Sequence, residues 1–281
     1  ATECDECGHV GPHACHVECY VCQGPPEIYN EETGLWHCEN CTEILNRSRP
    51  DLIREIHIEN LKAGADALET NSFGGSPVTL SEFDLADEAF ALNKRSAELA
   101  HEAIAEFNGD GRTRFVLGSV GPGTKLPSLG HIDYQTLEDG FALQCDGLLA
   151  GGVDAILIET CQDTLQAKAA INGAKRAIAA AGREVAIITQ VTVETTGTLL
   201  IGADIAAAAT VVHALDVPVL GLNRATGPRE MAEKVTNFAA MQADKCLEGG
   251  DLDGKAVWMG VIRAIKELCD RKSPLGGQEV H

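Results

Sequence analysis

Three Cys-x-x-Cys pairs crowd the first part of the chain: Cys4 with Cys7, Cys19 with Cys22, and Cys38 with Cys41, among Cys15, His9, His13, His16 and His37. Each pair presents two thiolates on a short turn, half of what tetrahedral zinc requires. Two pairs would complete one four-cysteine site, and the third pair with Cys15 and a histidine a second; the spacing leaves the pairing open. Such sites are coordinatively closed, so this zinc would fold the segment rather than act on a substrate. Redox use of the thiols is the competing reading.

A second set of polar groups stands farther along, each at the end of an apolar run. Glu69-Thr70-Asn71 follow ADAL, Ser119 lies in FVLGSV before Gly121-Pro122, and Glu159-Thr160 follow ILI. Thr192 and Glu194 end VAIITQVTV, and Asn223-Arg224 follow VPVLGL. A carboxylate within one residue of a buried strand needs a cationic partner such as an ammonium group, which singles out Glu159 and Glu69. Arg224 is permanently charged and offers only donors, suited to a carboxylate or a thiolate. The bland alternative is that these residues merely meet solvent. Cys145 and Cys161 read as core filler. No Ser-His-Asp pattern, nucleophile elbow, dinucleotide fingerprint or Walker loop is present.

The elements that would position these groups alternate. Strands are predicted at 65–69, 115–120, 153–159, 185–193 and 217–222, after a first helix that starts at Ser48-Arg49-Pro50-Asp51 and stops at Gly64. Longer helices are predicted near 84–107, 134–149, 163–181, 204–214 and 228–242. The fold class is therefore α/β, a parallel sheet curved into a barrel or left open, with every polar group above at the carboxyl edge where ligands bind. Residues 1–46 form a Cys-rich module too small to fold on apolar burial alone, 47–245 the α/β body, and 246–281 an amphipathic helix and tail.

Composition narrows the partners. Hydrophobic residues make up 44% and aromatics 4%, so Ala, Val, Ile and Leu must build the core. The formal charge of −20 repels phosphate backbones and argues against nucleic acid. ATECDECGHV has neither a basic nor an apolar leader region, and no run approaches the roughly 18 apolar residues of a membrane span. A soluble cytoplasmic protein is expected.

Five segments in order, PDLIREIHIENLKAGADALETNSFGG, FVLGSVGPGTK, GGVDAILIETCQDTLQAKAA, VTVETTGTLLIGAD and VPVLGLNRATGP, resemble the homocysteine-binding domain of cobalamin-dependent methionine synthase, over residues 50–240. The resemblance implies a (β/α)8 barrel whose zinc, held by three cysteines, binds the homocysteine sulfur as a thiolate for attack on the methyl group of methylcobalamin. The cobalamin would come from a separate domain or protein. It further implies that Glu159 holds the substrate ammonium group and that Thr70 and Asn71 line the pocket, with Glu69, Asn223 and Arg224 at the same edge.

The departures from that pattern are specific. Arg224 stands where one zinc cysteine should follow GLN, and the chain has no adjacent cysteine pair for the other two. The barrel's first strand should precede residue 50, where the Cys-rich module stands, and its last two should follow residue 240, where a Trp-bearing helix stands. The fold expected is thus an incomplete barrel of five strands with a small zinc-binding module. It would close differently, stay open, pair with a second copy as a homo-oligomer, or be a composite of segments. The expected function is impaired methionine-synthase-like methyl transfer; the alternative is a non-catalytic zinc-containing interaction protein. Arg224→Cys alone should restore no homocysteine methylation in a methylcobalamin assay, because two further ligands are missing.

Overall fold

The computed structural model describes residues 42–107, 111–194 and 196–224, the backbone of 28–30 and 35–37, and some helical residues between 236 and 263. Two short strands, β1 (Ile28–Asn30) and β2 (Leu35–His37), pair antiparallel. Then come α1 (Leu45–Ser48), α2 (Pro50–Lys62), β3 (Ala67–Glu69), α3 (Pro77–Leu80), α4 (Ala89–Phe107), β4 (Phe115–Val120) and α5 (Tyr134–Ala150). β5 (Ala155–Cys161), α6 (Thr164–Ala181), β6 (Ala186–Val193), α7 (Ile205–Ala214) and β7 (Val219–Arg224) complete the order.

β3 to β7 form one parallel sheet in sequence order. Because parallel crossovers are right-handed, strands laid down in that order keep their connecting helices on one face. The burial pattern agrees. Val116, Val120, Ile156, Ile158, Ile187, Val191 and Val193 point into a core shared with Phe141, Leu148 and Ile171 of α5 and α6. The alternate residues Ala67, Glu69, Phe115, Leu117, Ser119, Glu159, Ile188, Thr192 and Asn223 therefore share the opposite face. On that face Phe115 and Val219 remain nearly half exposed, at 48% and 47%. Among the described residues the sheet does not close, and β3 and β7 are its edges.

The local signals are legible one by one. Asp133, Asp163 and Asp204 cap α5, α6 and α7 by accepting from the backbone N–H of Thr136, Leu165 and Ala207. Each such cap contributes about 1 kcal/mol. The entry to α2 differs from expectation. Arg49 occupies the cap position without a side-chain cap bond, while Ser48 ends α1 and donates its hydroxyl to the Ile44 carbonyl. A second helix so close upstream claims the serine before it can cap the first. The expected strand at 65–69 starts two residues later, at 67–69, and those at 153–159 and 217–222 are displaced by two residues to 155–161 and 219–224. The expected helix at 228–242 and the C-terminal helix lie largely outside the described residues. Among the described residues no helix is long and apolar enough to cross a membrane.

The scarcity of aromatics has a structural counterpart in helices that pack on small residues. A Cβ built on Gly173 of α6 would stand 2.8 Å from the Glu138 carbonyl oxygen and 2.9 Å from the Ala142 nitrogen of α5. These are backbone atoms and cannot swing aside. Gly173→Ala should therefore destabilise the fold by about 1–3 kcal/mol despite the better helix propensity of alanine, as measured by urea denaturation.

Candidate functional site

At the carboxyl mouth of the sheet, on the face opposite α5 and α6, Ser119 of β4 donates its hydroxyl to Oε1 of Glu159 in β5 at 2.6 Å. Glu159 is partly buried, and among the described residues neither it nor Glu69 has a cationic side chain in salt-bridge contact. The Glu69 carboxyl is pushed above its ordinary range, first by desolvation and then by the charge of Glu159, although the residue as a whole is exposed. Two carboxylates, one raised by the charge of the other and neither in salt-bridge contact with a cation among the described residues, favour an incoming positive group.

Behind the pair lies a buried hydrogen-bond network. The Ser119 N–H donates to Thr70 Oγ1 at 2.9 Å, and Ser72 Oγ donates to the Ser119 carbonyl at 2.8 Å. The 2.6 Å contact between Thr70 and Ser72 hydroxyls must then use the Thr70 proton, since that of Ser72 is committed. Gln144 of α5 reaches across to donate to the Ser72 carbonyl at 2.7 Å. Each of these side chains is buried, and each makes a bond that would be costly to lose there.

On the far side of Glu159 the backbone is strained. The register of β5 with β6 shifts between Ile158 and Cys161, and Thr160 takes φ +63°, a left-handed conformation unusual for a β-branched residue. The Asn223 amide donates to Thr160 Oγ1 and ties the bulge to β7. Strain of this kind costs about 1–3 kcal/mol and persists only where neighbours over-determine it. Thr192, opposite Asn223 in the register, is 5% exposed and its Oγ1 has no protein partner among the described residues.

The loops above are pinned as firmly. Asp163 accepts from the N–H and the hydroxyl of Ser128, and Gln166 donates to the Pro122 and Lys125 carbonyls. At the free edge of β3, a groove of about 450 Å³ runs between the strand and α2, lined by Ile53, His57 and Asn60 and reaching Glu69. His57 is buried there, which pushes its pKa down.

The residues singled out from sequence fare differently. Glu159, Glu69 and Asn223 lie on the same sheet face at the mouth. Thr70 adjoins them, but its hydroxyl is committed to Ser119 and Ser72. Asn71 uses its amide on the Thr42 carbonyl and Asn46 Oδ1 while its own carbonyl accepts from Asn46, so it anchors the segment before α2. Arg224 ends β7 opposite Val193; its side chain lies outside the described residues. Gln144 and Gln166 were not singled out, although a glutamine on the buried stripe of an amphipathic helix is itself a signal of a polar task.

The six candidate zinc residues, Cys4, Cys7, Cys19, Cys22, Cys38 and Cys41, also lie outside the described residues. Among the described residues no cluster of three or more His, Cys, Asp or Glu is arranged to hold a metal. Cys145 and Cys161 are buried, and desolvation with nearby acids pushes both thiols up, that of Cys161 to about 12. Without a metal they remain protonated, and neither belongs to a cluster of three or more metal-ligating side chains among the described residues.

Residues 25–253 match the homocysteine S-methyltransferase family. Methionine synthase of Mycobacterium tuberculosis (strain ATCC 25618 / H37Rv) is 48% identical over 201 residues, 72% of this chain and 17% of that protein. Methionine synthase of Mycobacterium leprae (strain TN) is 47% identical over the same shares. The chain thus spans about a sixth of the length of these relatives. Among solved structures, homocysteine methyltransferase MmuM from Escherichia coli superposes in its oxidized form with a TM-score of 0.62 at 21% identity, over 76% of this chain and 75% of that one. Its metallated form gives 0.59 at 22% identity, over 71% of each. At these identities the likeness establishes a shared fold.

The raised pKa of Glu69 has a definite sign in stability. The folded state holds the Glu69 proton more tightly than the unfolded chain does, so this group's contribution is lost as pH rises through the raised value. Glu69→Gln should melt higher than the wild type at about pH 7, and the difference should close as pH falls below the ordinary carboxylate value of 4.5, in melting curves recorded against pH.

Proposed function

The chain belongs to the homocysteine S-methyltransferase family, and we propose that it binds homocysteine at the open mouth of its five strands, as the amino-acid-binding part of a methionine-synthase-like methyl transfer. Glu159 receives the ammonium group, with Glu69 adding negative potential beside it. The observation that carries this reading is the partly buried Glu159 carboxylate, held by Ser119 and without a side-chain cation among the described residues. The thiol would then lie toward the β6 and β7 ends, near Thr192 and Asn223. The methyl donor would be methylcobalamin, brought by another domain or protein.

Zinc, where bound in such a site, removes the proton of a thiol whose ordinary pKa is about 8.5. Arg224 cannot ligate zinc, so transfer by this chain is impaired and its retained task is substrate binding. A second reading, a zinc-containing interaction protein on a relic scaffold, is favoured by the absence of any thiolate at the mouth among the described residues. The division into a zinc module at 1–46, the α/β body at 47–245 and a helix and tail at 246–281 belongs to this proposal, as does a cytoplasmic location.

Calorimetric titration of the full chain with homocysteine tests it. Wild type should bind, and Glu159→Gln should weaken binding by about 30-fold or more, because an ammonium group left beside a neutral amide loses a desolvated charge pair. Equal affinity in the two proteins would remove Glu159 from the site.

A further inference from the structure

We propose that Ser119 is the positioning residue of this mouth: its hydroxyl fixes one oxygen of Glu159 and leaves the other directed to the ligand ammonium group, an inference that rests on the homocysteine reading above.

A glutamate side chain has three rotatable bonds, and Glu159 stands near a second carboxylate, Glu69, which feels its charge. Left alone, repulsion and rotamer entropy would draw its carboxylate away from the place where a cation is to be met. The Ser119 hydroxyl opposes both tendencies with a hydrogen bond to a charged acceptor at 2.6 Å. Oε1 is thereby occupied. No other hydrogen bond to Glu159 forms among the described residues, so Oε2 remains available to a ligand.

Ser119 can serve in this way because its own main chain is held from both sides. Its N–H is bound by Thr70 and its carbonyl by Ser72, groups from the segment that follows β3. Gln144 of α5 holds the Ser72 carbonyl and lies within 3.4 Å of the Ser119 carbonyl. The serine is 2% exposed. On the other side of Glu159, the left-handed Thr160 and its bond from Asn223 hold the backbone. Both ends of the glutamate are thus determined by tertiary contacts, and the hydroxyl removes the remaining side-chain freedom before any ligand arrives. Ordering a group in advance strengthens binding without adding a contact to the ligand.

The test follows Glu159 directly as well as through the ligand. In the full chain carrying carbon-13 glutamate, with the Glu159 signal assigned by its loss in Glu159→Gln, side-chain relaxation should give an order parameter close to that of rigid backbone, about 0.85, in the wild type and below about 0.6 in Ser119→Ala. Homocysteine affinity, by calorimetry, should fall roughly 10- to 100-fold in Ser119→Ala with the melting point nearly unchanged. Ser119→Thr, which keeps the hydroxyl, should retain both properties. Should Ser119→Ala fail to fold, Ser119→Cys provides the same comparison with a weaker donor.

An unchanged order parameter in Ser119→Ala overturns the positioning role whatever the affinity does. A lowered order parameter with wild-type affinity overturns its importance for binding. Absence of homocysteine binding to the wild type overturns the functional reading instead, and the order parameters still decide whether Ser119 holds Glu159.

Discussion

Right-handed parallel crossovers, repeated from β3 to β7, fix the main features of this molecule. Each crossover returns the chain to the next position in the sheet and leaves its helix on the same side, so α4, α5 and α6 pack side by side on one face. That face has to be apolar and closely fitted, and Gly173 and the alanine-rich helices provide the fit. The other face is released from the core, and its polar residues at the carboxyl ends can be arranged for a ligand. The division of labour between core and site is therefore a division between two faces of one sheet, written in alternate residues.

On the released face the electrostatics run against the protein. Glu69 and Glu159 repel, and the described residues set no side-chain cation between them. The structure keeps this arrangement with buried hydrogen bonds from Thr70, Ser72 and Gln144 and with a strained Thr160. Rigid support around an uncompensated charge is what a preorganised binding site needs, since a flexible one would relax the charge away before the ligand came. The same rigidity explains why Thr70 and Asn71, adjacent in sequence to Glu69, differ in their work. One supports Ser119; the other anchors the segment before α2.

Membership of the homocysteine S-methyltransferase family and the proposed loss of thiol activation bear on different parts of the chemistry. In the proposed reading the amino-acid end of the substrate is bound by Glu159 and the residues that hold it. Activating a thiol requires a metal or a base near the β7 end, where the sequence carries Arg224. The proposed loss of activation with a retained binding half is physically coherent, because the two tasks would fall to different strands.

The alternation of apolar runs and amphipathic stretches settled the five parallel strands and the helices between them, because those depend on period and on the handedness of L-residues, whereas their order in the sheet is set by pairing. It also marked Glu69 and Glu159, since a carboxylate ending an apolar run is conspicuous in any sequence. Boundaries slipped by two residues where strand ends are decided by pairing, and the cap of α2 went to Arg49 because α1 lies directly upstream. What only the tertiary structure decided is which polar groups are free for a ligand and which are spent on one another. Ser119 meeting Glu159, Gln144 reaching Ser72 and the left-handed Thr160 join residues 40 to 72 positions apart or depend on such joins, and no local pattern encodes a hydrogen bond between distant segments.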